Sequence, residues 1–100
     1  RHSAKGRAVR QRRVSLRYAG GDMILIYRLT EETAPCRRQR IYSLSVTQIC
    51  QRGENRESVF LYDVSRKRTE ADYIFDMISR GAVTTLTAAE IVSDLIGIPR

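Results

Sequence analysis

Histidine is nearly missing from this chain. The single one, His2, lies in a run of basic residues at the start. Nucleophilic catalysis needs a base beside the nucleophile and a third group to orient that base. A Ser/His or Cys/His pair therefore has almost nothing to be built from, and no enzyme is expected. Cysteine is scarce too: Cys36 and Cys50 are the only two. Metal sites repeat Cys and His at short spacings, and no such spacing occurs, so neither a metal nor another cofactor is expected. One disulfide is geometrically allowed, but the composition favours two thiols in a reducing compartment. Long apolar runs are also absent. The longest, Met23-Ile24-Leu25-Ile26-Tyr27, falls far short of the roughly 20 residues of a membrane span. The basic start is not followed by an apolar stretch, so no secretory signal is visible. These absences point to a cytoplasmic protein without a membrane partner or an evident small-molecule substrate.

Acids are missing from one end only. Residues 1–17 hold seven cations, Arg1, Lys5, Arg7, Arg10, Arg12, Arg13 and Arg17, and no acid. The other 83 residues hold 11 cations against 11 acids, so the whole net charge of +7 sits on the N-terminal segment. That distribution reads as a basic arm on an ordinary domain. Arginine accounts for all but two of the 18 cations. Its planar fork suits phosphate, although a GC-rich genome produces the same bias.

What is present is enough for one domain. The chain has 100 residues, 42% of them hydrophobic, close to the usual globular share. Residues 1–12 show no periodicity and are expected to be a disordered arm, with a single domain over 13–98. Val14, Leu16 and Tyr18 alternate with polar residues, which marks a half-buried strand. Gly20-Gly21 supplies the positive φ angles of a two-residue hairpin turn. That turn would set Tyr18 opposite Met23, Leu16 opposite Leu25 and Val14 opposite Tyr27. Residues 23–29, 41–50 and 58–64 give three more strands. The period then changes to 3.6: Ala71, Ile74, Phe75 and Ile78 share one helix face. Thr69 is the expected N-cap and Gly81 the stop signal. Thr87-Ala88-Ala89-Glu90 has the capping-box spacing for a second helix. Strands followed by helices imply an α+β fold: an antiparallel four-strand β-meander, then two helices packed on one face of the sheet.

Two binding classes follow. Two helices cover one face of such a sheet, which leaves Ile24 and Ile26 on the other with Val59/Leu61 or with Phe60/Tyr62/Val64. An apolar patch of that size marks an interface, so Ile24, Ile26, Phe60 and Tyr62 are candidates for contact with a protein partner or a second copy. The alternative is nucleic acid. Arg7, Arg10, Arg12, Arg13 and Arg17 could neutralise phosphates and release counterions, with Arg66-Lys67-Arg68 and Arg37-Arg38/Arg40 as further basic clusters. No base-reading signature accompanies them. Asp72 and Asp76, one helical turn apart, read as a solvated face.

The order and pattern of the C-terminal half resemble those of one family. Tyr62-Asp63-Val64-Ser65 ends a strand, a short helix follows, and then come Ala82-Val83 and Leu86-Thr87-Ala88-Ala89-Glu90-Ile91-Val92-Ser93-Asp94-Leu95-Ile96. This ending resembles a family of small Firmicutes proteins known only as a domain of unknown function. The similarity spans roughly 14–97, outside the arm. It implies a short β-meander, a helix, a hydrophobic-acidic final helix and a bacterial cytoplasmic location. An aromatic residue common in that family near Asp94-Leu95 is absent. The family implies no activity, cofactor or site residue. Function is therefore expected to be that of a non-catalytic protein-interaction or regulatory module.

Overall fold

A computed structural model describes residues 8–34, 39–53 and 55–97. The elements are β1 (Ala8–Tyr18), β2 (Met23–Ala34), β3 (Gln39–Cys50), β4 (Asn55–Ser65), α1 (Arg68–Arg80) and α2 (Ala88–Gly97). The sheet is antiparallel in the order β1-β2-β3-β4. The α+β meander with two following helices is thus the fold. Leu25, Tyr27 and Leu29 of β2 and Tyr42, Leu44 and Val46 of β3 are fully or almost fully buried. They face Ala71, Ile74, Phe75 and Ile78 of α1 and Val92 of α2 in one core. The shortest dimension is only 17 Å, room for one sheet and one layer of helices.

Strand β1 begins at Ala8, not near Arg13. Residues 8–12 are therefore strand and not arm; residues 1–7 lie outside the described residues. The alternation that sequence reasoning sought is broken by a bulge between Gln11 and Arg13. A bulge leaves one residue without a partner and hides the period of two.

The hairpin register also differs. Tyr18 pairs with Ile24, Leu16 with Ile26 and Val14 with Arg28. The loop therefore takes in Asp22 as well as Gly20 and Gly21. Both glycines have positive φ, and the Ala19 N–H donates to the Met23 carbonyl at 2.9 Å. A shift of one residue turns every side chain of a strand to the opposite face. Val14, Leu16 and Tyr18 therefore point away from the helices, while Arg13 and Arg17 point toward them.

The helix ends differ from expectation in detail. Lys67, not Thr69, is the N-cap of α1, and it makes no side-chain cap bond. Ser65 takes over: its hydroxyl accepts the Lys67 N–H at 3.0 Å and donates to the Glu70 carboxylate at 2.7 Å. At the other end Gly81 keeps right-handed geometry, and Ala82 takes the left-handed turn with φ 51°. The Val83 N–H then closes onto the Ile78 carbonyl at 3.1 Å. Helix α2 starts directly after Thr87, whose carbonyl accepts the Ile91 N–H at 3.0 Å.

Candidate functional site: the open face of the sheet

Arg10, Arg12, Arg13 and Arg17 of the candidate polyanion site lie on β1. Arg13 lies over the Phe75 ring, with its guanidinium carbon 4.5 Å from the centroid. The same group reaches Asp76 at 2.7 Å and Asp72 at 3.5 Å. The hydrogen bond to Asp76 pushes the Arg13 guanidinium above its ordinary value, against the opposing effect of burial. Asp72 and Asp76 are therefore a cradle for a cation and not a bare solvated face. Arg17 donates to the Ser79 carbonyl at 2.8 Å and the Arg80 carbonyl at 2.7 Å. Both carbonyls lie at the C-terminal end of α1, where the helix dipole favours a cation; the Ser79 carbonyl also accepts the Ala82 N–H at 3.3 Å. Arg12 approaches the buried Glu31 carboxylate at 3.5 Å, and Arg40 reaches its other oxygen at 3.3 Å. Arg10 is exposed. Arg7, Arg37 and Arg38 lie outside the described residues. Arg66 pairs with Asp63 at 3.1 Å and Arg68 with Asp72 at 3.8 Å. Three of the five candidate cations thus tie the first strand to α1 and to β2.

The spacing could have revealed this. Arg13 and Arg17 are four residues apart on a strand, hence on one face and about 13 Å apart. Asp72 and Asp76 on α1, and the carbonyls at its end, offer acidic and carbonyl partners to that face of the strand.

Tyr27 fixes the segment that leaves α1. Its hydroxyl donates to the Val83 carbonyl at 2.7 Å. Burial pushes its phenol up to about 12, with Arg17 pulling the other way, so the proton that makes this bond is retained across the physiological range.

The other sheet face carries the interface candidates. Cross-strand partners set Tyr18, Ile24, Ile49 and Arg56 in one row. Leu16, Ile26, Thr47 and Ser58 form the next row, and Val14, Arg28, Ser45 and Phe60 the third. Tyr18 is 76% exposed, Phe60 60% and Tyr62 55%. Val14 and Leu16 are half exposed. Ile24 and Ile26 are partly covered by these neighbours. All four candidates, Ile24, Ile26, Phe60 and Tyr62, are brought to this face, together with Val14, Leu16 and Tyr18, which were expected to share a face with Met23, Leu25 and Tyr27. Ile49 was also missed, since it continues the Ser43/Ser45/Thr47 side of β3. Val64 goes the other way. It was grouped with Phe60 and Tyr62, but an irregularity in β4, with Asp63 at φ 58°, carries it into the core.

The relief of the face is uneven. Strands β1 and β2 raise a bulky aliphatic ridge. Strand β3 is a trough of Ser45 and Thr47, the latter hydrogen-bonded to Ser58 at 3.1 Å. Strand β4 raises Phe60 and Tyr62, whose ring centroids lie 6.4 Å apart. Round the edge of β4, a groove of about 490 Å³ runs between Tyr62 and Val64 on one side and Val92, Ser93 and Ile96 of α2 on the other. Among the described residues no group of three His, Cys, Asp or Glu side chains could hold a metal ion, and Cys50 is a free thiol.

The model of DUF6514, a family of unknown function, matches residues 7–97. The chain belongs to this family. The match takes in all six elements, including residues 8–13 of β1, which the resemblance had left outside. No curated protein matches the chain, and no solved structure matches it. The function of DUF6514 is unknown, so membership gives similarity along nearly the whole chain and assigns no role to any residue. Among those described, no helix is long and apolar enough to cross a membrane.

Proposed function

We propose that this DUF6514 domain is a non-catalytic protein-interaction module that works through the open face of its sheet. One observation carries the reading. Tyr18, Phe60 and Tyr62 are each more than half exposed, beside Leu16, Ile24 and Ile26 on a face that α1 and α2 leave uncovered. Contiguous exposed apolar surface of this extent is uncommon on a monomer and marks contact sites. The proposal places the module in the bacterial cytoplasm, as the family resemblance implied. The nucleic-acid alternative draws on the same +7 charge, but Arg12, Arg13 and Arg17 already have partners within the fold.

Replacing Ile24 and Ile26 together by Thr keeps strand propensity while removing apolar bulk. Tagged wild-type chain, exposed to native cell extract with and without nuclease, is expected to retain bound protein after nuclease treatment. The double variant is expected to lose that protein while melting within a few degrees of wild type. Bound material that vanishes with nuclease and survives the double change would support the nucleic-acid reading instead.

A further inference from the structure

We infer that the occupant of the open face is a second copy of this chain, stacked face to face about a two-fold axis running along the strands. The inference rests on the reading of that face as a contact surface and names what covers it. The residues of the chain outside those described cannot do so, since Ile98 is their only large apolar side chain. The size fits a homodimer. Five large side chains that are about half exposed or more, Val14, Leu16, Tyr18, Phe60 and Tyr62, with the partly covered Ile24 and Ile26, present on the order of 600 Å², close to the ~800 Å² each partner contributes to a standard interface.

The relief decides the orientation. A two-fold axis along the strands sets β1 of one copy against β4 of the other, and β2 against β3. The Ile24/Ile26 ridge then enters the Ser45/Thr47 trough of the second copy, large against small, as facing sheets interdigitate. Row positions are conserved by this axis, so Val14 meets Phe60 of the other copy and Tyr18 meets its Arg56. Arg28 arrives at Ser45, between the other copy's Phe60 and its Arg28, so the two guanidiniums repel across the axis and salt screens that repulsion. Each cation on the face thereby gains an aromatic ring, the contact that lets a guanidinium be partly desolvated without loss. Setting β2 against β2 would instead put ridge on ridge and leave both troughs empty.

The test uses sedimentation equilibrium on the full chain, together with cross-linking. Wild type is expected to be a dimer that dissociates on dilution. Leu16→Glu places a carboxylate in the contact and is expected to weaken it by on the order of 100-fold, since an unpaired charge would be desolvated. Leu16 is half exposed in the single copy, so the fold should persist, and circular dichroism checks that it does. Leu16→Thr is the milder second variant, expected to weaken the dimer less. With Cys36 and Cys50 replaced by Ser, Val14→Cys mixed with Phe60→Cys is expected to be joined by a short bis-maleimide. Val14→Cys alone should not be joined. A monomer at every concentration overturns the inference. If extract-bound protein is nevertheless lost in the Ile24/Ile26 variant, the contact-surface reading stands and only the second copy falls. A dimer that ignores Leu16→Glu, or that joins Val14→Cys to itself, overturns the stated geometry.

Discussion

Replacing Phe75 by Ala is expected to destabilise the domain by about 3–5 kcal/mol, the usual cost of emptying a buried aromatic site. Phe75 is 2% exposed and stands at the centre of the α1 face, so little around it can collapse into the space. A native domain of this kind holds only about 5–15 kcal/mol, which makes this change near the limit of what the fold tolerates. It also removes the surface on which Arg13 rests. A double-mutant cycle separates the two effects. Phe75→Leu keeps most of the volume and loses the ring face, and Arg13→Met keeps most of the stem and loses the charge. Their coupling in urea melts is expected at about 0.5–1 kcal/mol, the size of a partly exposed cation–π contact. A coupling of zero would mean that Arg13 is held by Asp72 and Asp76 alone.

The second large effect concerns the N-terminal segment. Residues 1–7 lie outside the described residues, and deleting them leaves every pairing of β1 with β2 given above in place. Deleting 1–12 also removes Ala8–Gln11, which pair with Thr30–Thr33 of β2, and the bulge residue Arg12. It strips Arg12 from Glu31, a carboxylate only 5% exposed at the residue level. Breaking a buried pair by taking one partner costs up to about 3–5 kcal/mol, and Arg40 offsets part of that here. The longer truncation is therefore expected to melt at least about 8 °C below the shorter one, since about 1 kcal/mol shifts a domain of this size by 4–8 °C. Equal melting temperatures would return residues 8–12 to the status of an arm.

The sequence made the helices and the element order legible because their signals are local. Ala71, Ile74, Phe75 and Ile78 share a face whatever the sheet does, and Thr87 marks the start of α2 by its spacing to Glu90. The sheet register was not legible because it rests on one residue in a loop. Whether Asp22 belongs to the turn or to β2 decides which face Leu16 and Tyr18 occupy. The rule that apolar residues go inside chose the wrong side. It had no means of knowing that Arg13 and Arg17 would be satisfied on the helix side by a ring, two carboxylates and two helix-end carbonyls. The same error shaped the reading of charge. A run of cations without acids looks free in a sequence, because its acids lie sixty residues away on α1. Ile24, Ile26, Phe60 and Tyr62 were found because the count of helices against sheet faces does not depend on the register of β1. Val64 was misplaced because a residue in left-handed geometry, Asp63, leaves no mark on a period of two.

In the proposed function, binding lies on the apolar face and most of the basic strand serves the fold. Those two claims give opposite dependences on salt. An apolar contact between two copies, each of net charge +7, is opposed by their repulsion, and added salt screens that repulsion. Contact through phosphates weakens as salt rises, with a slope of log K on log salt of roughly −5 if about six cations take part. The measurement is the association constant of the full chain by sedimentation equilibrium across a salt series, with duplex DNA as the competing ligand in a parallel series. Self-association is expected to tighten with salt, and DNA binding to be weak and gone at physiological ionic strength. A chain that stays monomeric throughout, and binds duplex DNA at physiological salt with a slope near that value, would contradict it.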